Sequence, residues 1–482
     1  MDLDHDACYR AVKLRDARFD GRFFTAVKTT RIYCRPICPA RTPQSRNVVF
    51  FPTAAAAQEA GFRPCLRCRP ETAPDMGAWR GTSNTVSRGL ALIELGALDN
   101  GSVDALAERL GMGERQLRRL FRQHLGASPI GVAQSRRILL AKQLIHETHL
   151  PMTEIAFAAG FGSIRRFNET FVALFGRPPG ALRRLSGPDI AVAAQGEFSL
   201  LLRYKPPYDW PAMLRFLAQR AIPGVERVAD GVYSRTMALA GVQGTISVRP
   251  ATGHALRAAI RLPKLAVLPN IIARLRRQFD LAADPLSIAA HLRTDPTLAP
   301  LLKQRPGLRV PGAWDGFELA IRAVLGQQIT VTAAIRLAGR LVAAYGEPLA
   351  EPIATLTHVF PTPQVLAQAD LTALGMPRSR AETLSSVAAA AIGNPDLFGV
   401  NCDLEEAIAR LRSIRGVGEW TAHYIALRQL REPDAFPAAD VGLMRALADH
   451  QGRRPSAAEL LVRAEAWRPW RAYAAQHLWA NA

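Results

Sequence analysis

Four cysteines arranged as two close pairs constrain the fold of this chain more than any other feature of its sequence. Cys34 and Cys38 are separated by three residues, Cys65 and Cys68 by two, and 26 residues lie between the pairs. Thiolates are preferred ligands of Zn²⁺, and each short pair can supply two ligands from one turn. The spacing therefore predicts a tetrahedral Zn²⁺ site made by all four cysteines, and spacing alone favours a structural metal.

The remaining cysteines, the net charge and the apolar runs indicate in which compartment this protein works and what it binds. Cys8 and Cys402 stand alone, so the six cysteines of this 482-residue chain form no disulfide framework. Lys and Arg number 61 against 41 Asp and Glu, and this net charge of +20 makes nucleic acid the first candidate partner. No run approaches the roughly 18 apolar residues of a membrane span, and the N-terminus lacks an apolar signal segment. We expect a cytoplasmic, soluble, multidomain protein without a membrane partner.

The residues around the cysteines are more specific than their spacing. The stretches Cys34-Arg-Pro-Ile-Cys38-Pro-Ala-Arg41 and Arg63-Pro-Cys65-Leu-Arg-Cys68 resemble the zinc domain of the Ada family, over roughly residues 5–75. The resemblance implies that Cys34 is a zinc-bound thiolate that takes a methyl group from a DNA methylphosphotriester, once per molecule. The other three cysteines would complete the ligand set. The candidate phosphate contacts, each with solvated surface as its alternative, are Thr30, Arg41 and Arg63.

Residues 85–185 contain a helix-turn-helix pattern. An apolar helix ends at Gly111-Met-Gly113, and the basic helix that follows has Leu117, Leu120 and Phe121 on its apolar face. A helix, a turn containing glycine and a basic helix are typical of DNA binding through the major groove.

The pattern occurs a second time around Gly160-Phe-Gly162. Ser163 is the predicted N-cap of the second basic helix, and Phe167 and Phe171 lie on its apolar face. The doubled arrangement resembles the AraC-type DNA-binding domain; the alternative is a helical bundle with solvated arginines. The arginines of the two basic helices that we expect to contact DNA are Arg115, Arg118, Arg119, Arg165 and Arg166.

The C-terminal half carries a third nucleic-acid signal. Gly416-Val-Gly418 lies between two predicted helices, where glycines let the backbone approach a phosphate. Such a motif is weak alone, but the chain from Tyr204-Lys-Pro-Pro-Tyr-Asp-Trp210 to His477-Leu-Trp479 resembles the AlkA family of alkylpurine DNA glycosylases. The resemblance implies a mixed α/β subdomain followed by a helical catalytic region. Alternation of polar and apolar residues predicts strands at Phe198–Tyr204 and Thr245–Arg249.

Site residues of the C-terminal half follow from that resemblance. It implies that Asp440, 22 residues beyond Gly418, is the catalytic carboxylate; taken alone, such an Asp is more often a helix N-cap or a surface residue. It also implies that three aromatic residues line the pocket for an extruded base; the alternative for each is an ordinary core residue. Those aromatic residues are Trp420, Tyr424 and Trp479.

At several positions this sequence differs from related families, and these differences limit the activities and cofactors that we expect. Gln328 occupies the place of a leucine that fills the gap left by the extracted base, so Gln327 and Gln328 are the candidates for that role. Trp420 stands where related bifunctional enzymes carry a Schiff-base lysine, which implies a glycosylase without lyase activity. No cysteine follows Cys402, which excludes an Fe–S cluster in this half, and no Pro-Cys-His-Arg acceptor for O6-methylguanine is present.

The sequence thus predicts a multidomain, predominantly α chain that contains Zn²⁺ and binds double-stranded DNA, both at alkylated sites and at promoters. RNA polymerase is a further candidate partner, and we expect a monomer. Residues 71–84 are predicted to be a linker, and residues 186–197 a tether or a spacer. The predicted domains are a small α/β zinc methyl-acceptor domain (1–78), an AraC-type double helix-turn-helix domain (85–185), an α/β subdomain (190–300) and a helix-hairpin-helix glycosylase domain (301–482).

These domains predict release of N-alkylated purines such as 3-methyladenine and 7-methylguanine, combined with methyl transfer and transcriptional activation. Two alternatives stay open at this stage. The chain could be a transcription regulator with an inactive glycosylase domain, or a glycosylase whose N-terminal half is only a DNA tether with structural zinc. Base-release and methyl-transfer assays would separate these possibilities.

Overall fold

The computed structural model describes residues 3–74, 84–183, 197–399 and 402–481. They divide into two compact units, one of Met1–Tyr204, Ala251–Ala259 and Pro263–Ala273, and one of the remaining residues from Lys205 onwards. The predicted fold class is confirmed, because helices predominate and the sheets are small. None of the helices in the described ranges combines the length and apolar character that a bilayer crossing requires.

The N-terminal module is a small sheet between two helices. Its sheet has the strand order β3-β1-β2-β4, in which β1 pairs antiparallel with β2 and β3. Strands β2 and β4 are parallel, with Tyr33 opposite Pro64, so that Cys34 and Cys65 follow at neighbouring positions. The elements are α1 (His5–Lys13), β1 (Phe24–Val27), β2 (Ile32–Cys34), β3 (Val48–Phe51), α2 (Ala54–Glu59) and β4 (Arg63–Pro64).

The next module contains both predicted helix-turn-helix units. Leu117, Phe121, Phe167 and Phe171 are fully buried, as predicted, and Leu120 is half-buried. Ser163 caps its helix, because its Oγ accepts a hydrogen bond from the Arg166 amide at 3.2 Å. The helices are α3 (Asn84–Glu94), α4 (Val103–Arg109), α5 (Glu114–Leu125), α6 (Pro129–Glu147), α7 (Met152–Ala158), α8 (Ile164–Phe175) and α9 (Pro179–Arg183).

The predicted linker over residues 71–84 is wrong at its beginning. Glu71 is buried and forms a 2.7 Å ion pair with Lys142 of α6, whose side chain is fully buried. Arg69 also contacts Glu71, at 3.1 Å. Turn-forming residues suggested a loop, but this charge pair fixes the segment on α6; residues 75–83 lie outside the described part of the chain.

The same helix α6 holds the strand that begins the third module, β5 (Glu197–Arg203). A Glu147 carboxylate oxygen accepts from the Leu201 amide at 2.9 Å, and the Gln143 side chain donates to the Leu201 carbonyl at 2.9 Å. Burial raises the pKa of Glu147, in spite of these hydrogen bonds. The predicted tether over 186–197 lies almost entirely outside the described residues.

A five-stranded sheet follows, with the order β5-β9-β8-β7-β6. Strands β6, β7 and β8 form an antiparallel meander, and both predicted strands, Phe198–Tyr204 and Thr245–Arg249, fall in this sheet. The elements after β5 are α10 (Trp210–Ala218), β6 (Glu226–Ala229), β7 (Val232–Leu239), β8 (Val242–Ala251) and β9 (Ala255–Arg261).

The remainder is helical, as predicted, apart from a hairpin of β10 (Glu347–Ile353) and β11 (Leu356–Val359). The residue pattern does not predict strands there, because β10 contains two Pro and two Glu residues, which strands disfavour. The helices are α11 (Leu268–Gln278), α12 (Pro285–Leu292), α13 (Leu298–Gln304), α14 (Gly316–Leu325), α15 (Val331–Tyr345), α16 (Pro363–Gln368), α17 (Arg378–Gly393), α18 (Leu404–Arg412), α19 (Glu419–Ile425), α20 (Val441–Ala446), α21 (Ala457–Ala464) and α22 (Arg471–Trp479).

Lys142→Met should destabilise the first unit by about 3 kcal/mol, because it leaves Glu71 buried without its main partner. Burial alone would raise the pKa of Glu71, but Lys142 more than offsets this and the pKa lies below its usual 4.5. Glu71 therefore stabilises the fold above that value, and its contribution is lost as the pH falls through the lowered pKa. Urea unfolding of the full chain, followed by circular dichroism, measures the difference.

The exposed Lys264→Met is the matched control and should leave the urea midpoint unchanged. An equal midpoint for Lys142→Met and wild type at pH 7 would contradict the structural role of the pair.

Candidate active site and metal centre

A carboxylate held by two indole groups marks the candidate active site of the second unit. Asp440 Oδ2 accepts a hydrogen bond from Trp420 Nε1 at 2.7 Å, and Oδ1 accepts from Trp479 Nε1 at 2.8 Å. Asp440 is also the N-cap of α20, where Oδ1 accepts from the Leu443 amide at 3.0 Å. The helix-cap interpretation and the functional one are therefore both compatible with its geometry.

The Asp440 carboxylate accepts three hydrogen bonds but has no cationic partner among the described residues. All three donors are neutral N–H groups, and within the described residues Asp440 takes part in no ion pair. Its position is fixed by hydrogen bonds, while its negative charge is not cancelled by a neighbouring cation. Such a group can stabilise positive charge that develops beside it during a reaction.

Gly442 makes room for this arrangement. A Cβ atom at this position would lie 2.9 Å from Asp440 Oδ1 and 3.3 Å from Trp479 Cδ1. Both distances are shorter than ordinary carbon contacts, so a larger residue would push the indole and the carboxylate apart. No sequence motif points to this glycine.

The three predicted aromatic residues do come together, in a cavity of about 650 Å³ that Asp440 also lines. The rings of Trp420 and Tyr424 are stacked, with centroids 5.1 Å apart and planes 14° apart. Their spacing of four residues on α19 places them on one helix face. All three are only partly buried, so they are lining residues as well as packing residues.

Sequence reasoning missed the charged residues of the cavity. Arg428 is 4% exposed and lines the cavity behind Tyr424, in a π-helical turn (Ala426–Leu430) that continues α19. The available signal in the sequence was its spacing of eight residues from Trp420, which is about two turns of a helix. A second charged group in the lining is a network of two arginines and two glutamates: Arg235, Arg322, Glu226 and Glu318.

Each glutamate of this network is bridged by both arginines. Arg235 contacts Glu318 at 2.8 Å, and Arg322 contacts Glu226 and Glu318 at 2.5 Å each. Burial alone would raise the pKa of Glu318, but the two guanidiniums more than offset this and hold the pKa at about 2. The network is neutral as a whole, and it joins β6 and β7 to α14 at the wall of the cavity.

The predicted phosphate-binding hairpin forms between α18 and α19. Gly416 has a φ of +83° and no room for a side chain, since a Cβ atom would lie 2.0 Å from Thr383 Oγ1. Gly418 is the N-cap of α19 and is exposed. The Gln327 side chain donates to the Gly416 carbonyl at 3.1 Å and to Thr421 Oγ1 at 3.2 Å, so it supports the hairpin.

Gln328 differs from its neighbour. It is exposed, and its φ of +57° places its backbone in the left-handed region, which is uncommon for residues other than glycine. Of the two predicted inserting residues, Gln328 is exposed, whereas Gln327 is half-buried and its side chain is held against the hairpin.

In the first unit, the four cysteines converge as the spacing predicted. All four Sγ atoms lie within 4.8 Å of one another. Sulfur atoms on a tetrahedral Zn²⁺ are about 3.8 Å apart, given Zn–S bonds of about 2.3 Å, so the cluster fits this ion. Backbone amides of Arg35 and Arg67 donate to Cys68 Sγ and Cys65 Sγ, each at 3.3 Å, which favours thiolates.

Two features distinguish individual ligands. Cys65 and Cys68 are buried, whereas Cys34 and Cys38 are partly exposed, so Cys34 is within reach of a molecule outside the domain. The buried Lys142 also donates to the Cys65 carbonyl, at 3.0 Å. The ion pair of α6 is therefore connected directly to the backbone of a metal ligand.

The predicted DNA contacts are on the surface to different degrees. Thr30 and Arg41 are exposed, and Arg63 is half-buried at the start of β4. Among the helix-turn-helix arginines, those exposed are Arg115, Arg119, Arg165 and Arg166, and Arg118 is half-buried. Arg118 pairs with Glu114 and Arg165 with Glu169 along their own helices, each with a 2.7 Å hydrogen bond, so these two must exchange partners to contact DNA.

Family models cover most of the chain. They are the metal binding domain of Ada (residues 7–71), a helix-turn-helix domain (106–185), the AlkA N-terminal domain (199–315) and the HhH-GPD superfamily of base excision DNA repair proteins (321–472). The Ada model includes the four cysteines, and with their geometry it establishes Zn²⁺ as the metal of this chain.

Individual relatives agree with these models. The "Probable bifunctional transcriptional activator/DNA repair enzyme AlkA" of Mycobacterium tuberculosis is 44% identical over 481 residues, 99% of this chain and 97% of that protein. DNA-3-methyladenine glycosylase 2 of Escherichia coli is 38% identical, over 58% of this chain and 95% of its own length. The 3-methyladenine DNA glycosylase of Archaeoglobus fulgidus shares the fold of 59% of this chain and 97% of its own, with a TM-score of 0.52 and 22% identity.

We predict one Zn²⁺ per chain in protein purified without chelators, because four convergent thiols hold the ion far better than a smaller set. Cys68→Ser should lower the zinc content at least tenfold. Mass spectrometric metal analysis of the full chain checks this. Cys402→Ser removes a buried cysteine outside the cluster and is the matched control; loss of zinc in the control but not in Cys68→Ser would contradict the assignment.

Proposed function

From the premise that this chain belongs to the family of bifunctional transcriptional activator/DNA repair enzymes that join an Ada-type zinc domain to an AlkA-type glycosylase, we propose which residues perform its reactions. The protein is a DNA-3-methyladenine glycosylase and a helix-turn-helix transcription regulator with an Ada-type zinc domain. The domain limits 1–78, 85–185, 190–300 and 301–482 and the individual residue roles are our proposals.

Asp440 is the proposed catalytic carboxylate of base release. When the bond between the sugar C1′ and the base nitrogen breaks, both bonding electrons go to the base and positive charge develops on the sugar. The carboxylate stabilises this charge, and water then bonds to C1′ and loses a proton to Asp440 or to solvent. The observation that carries this proposal is the uncompensated carboxylate fixed by Trp420 and Trp479 at the cavity.

Base recognition follows from the rest of the cavity. The stacked rings of Trp420 and Tyr424, with Trp479, offer aromatic faces to a base rotated out of the duplex. Gln328 is the proposed filler of the vacated space in the helix, and the Gly416–Gly418 hairpin would bind the neighbouring phosphate through its amides.

We propose a glycosylase without lyase activity. A lyase needs an amine that forms a Schiff base with the sugar, and the sequence contains no lysine after Lys303. The described lining of the cavity likewise contains no lysine. The expected product is therefore an intact abasic site with no trapped covalent adduct.

Cys34 is the proposed acceptor for the second repair reaction. Bound Zn²⁺ keeps the four sulfurs in the thiolate form at neutral pH. Cys34 Sγ attacks the methyl carbon of a methylphosphotriester; a C–S bond forms, the C–O bond breaks, and the electron pair returns to the phosphate as a diester. The thioether is stable, so each molecule reacts once.

The methyl transfer also changes the charges of the zinc domain and of the DNA, and this change would strengthen DNA binding by a regulator. The sulfur cluster loses one negative charge and the repaired phosphate gains one, so attraction between protein and DNA increases. The helix-turn-helix arginines would then hold promoter DNA, with RNA polymerase as the proposed further partner and a monomer as the proposed state. A regulator with an inactive glycosylase domain is less well supported, because Asp440, its donors and the hairpin are all in place.

Asp440→Asn should lower the rate of 3-methyladenine and 7-methylguanine release by about 10³-fold or more, because the amide cannot offset positive charge on the sugar. Single-turnover assays on methylated duplex DNA measure the rate, and gel analysis of the product shows the intact abasic site.

Asp449→Asn is the control, since Asp449 is an exposed aspartate in a turn whose carboxylate also accepts backbone hydrogen bonds. It should retain wild-type rates. Unimpaired release by Asp440→Asn, or absence of release by folded wild type, would refute the proposed glycosylase site.

Cys34→Ser should abolish transfer of radiolabelled methyl groups from methylphosphotriester DNA to the protein, while base release continues at the wild-type rate. Cys8→Ser keeps the cluster and should transfer one methyl group per chain. Transfer that exceeds one equivalent, or that survives in Cys34→Ser, would contradict the proposed acceptor.

A further inference from the structure

A buried positive charge lies against the aromatic lining of the base cavity. The guanidinium carbon of Arg428 is 4.9 Å from the ring centre of Tyr424, 5.4 Å from that of Trp479 and 4.5 Å from that of Phe216. Each distance is within the range of a cation–π contact. Two of the aromatic rings that line the cavity therefore lie against a cation that is itself part of the lining.

This charge is not neutralised. Arg428 donates to the Pro311 carbonyl at 2.8 Å, and in the described ranges it forms no ion pair with a carboxylate. Burial lowers the pKa of Arg428, yet a guanidinium remains protonated at neutral pH. Burial alone would raise the pKa of Tyr424, but Arg428 and Arg220 more than offset it and lower that pKa. The cavity is thus more positive than its aromatic lining suggests.

The two unlike charges of the cavity act on different parts of a substrate. Asp440, held by Trp420 and Trp479, is proposed to face the sugar, whereas Arg428 lies against the ring of Tyr424, which is proposed to receive the base. Breakage of the glycosidic bond moves electrons from the sugar to the base. A cation on the base side and an anion on the sugar side both favour this movement.

We propose that Arg428 is a specificity-determining residue, whose fixed charge promotes release of neutral purines relative to cationic alkylpurines. This inference rests on the glycosylase reaction proposed above. Hypoxanthine is a neutral purine and serves as the probe of this class.

The charge of the purine before and after bond breakage explains why Arg428 would affect neutral purines and cationic alkylpurines differently. A cationic alkylpurine leaves as a neutral base, so Arg428 repels it on entry and this repulsion disappears as the bond breaks. A neutral purine takes the bonding electrons as an anion and is attracted to Arg428 only in the transition state; it then gains a proton from solvent. Differential stabilisation of this kind raises the rate for the neutral base.

The test compares two duplexes, one with 7-methylguanine and one with hypoxanthine, under single-turnover conditions with subsaturating enzyme. Arg428→Met should lower the second-order rate constant for hypoxanthine at least about tenfold, which corresponds to about 1.4 kcal/mol. The constant for 7-methylguanine should be unchanged or higher. Arg428→Lys keeps the charge and should keep the ratio of the two constants within about threefold of wild type.

Arg471→Met controls for loss of any buried guanidinium, since Arg471 is 6% exposed and pairs with Asp434. It should leave the ratio unchanged, whatever its effect on stability. Equal losses on both duplexes in Arg428→Met would show a merely structural role and overturn the proposal, as would wild type that releases 7-methylguanine but not hypoxanthine. Release of neither base by wild type would refute the glycosylase itself.

Discussion

The second unit depends on one carboxylate that receives two indole N–H groups. Trp420 is on α19, Trp479 on α22, and Asp440 caps α20, so the two hydrogen bonds join three helices at a single side chain. Partial burial of a carboxylate costs free energy unless hydrogen-bond donors replace the lost water. Neutral donors do so without cancelling its negative charge. The same contacts that join the three helices therefore leave the negative charge of Asp440 available at the cavity.

The features that the sequence predicted well are local or governed by spacing. Four cysteines in two short pairs specify a metal site wherever the chain places them, and the apolar faces of α5 and α8 follow from helical periodicity. The AlkA resemblance located Asp440 and its aromatic neighbours. It did not show that the indoles bind the carboxylate, because hydrogen bonds between residues 20 and 39 positions apart depend on packing.

What the sequence did not reveal depends on contacts between elements that are far apart in the sequence. Glu71 lies in a stretch rich in turn-forming residues, and only Lys142, 71 positions further on, makes it part of a buried contact. Arg428 reads as one more arginine in a basic chain, yet the π-helical turn and the approach of Phe216 bury it behind the base cavity. In neither case does a spacing rule predict the burial, since the partner comes from a different element.

The contacts of α6 with strand β5 bear on where the chain can be divided. Glu147 and Gln143 belong to the DNA-reading half, and both bind the backbone of Leu201, in the strand that opens the other half. All three residues belong to the same compact unit, although Leu201 lies beyond the helix-turn-helix module in sequence. A fragment that ended with that module would lack the amide that donates to the Glu147 carboxylate, which is nearly buried. The boundary that the sequence motifs suggest is therefore not a boundary of folding, and a truncation designed from the motifs alone would divide one compact unit.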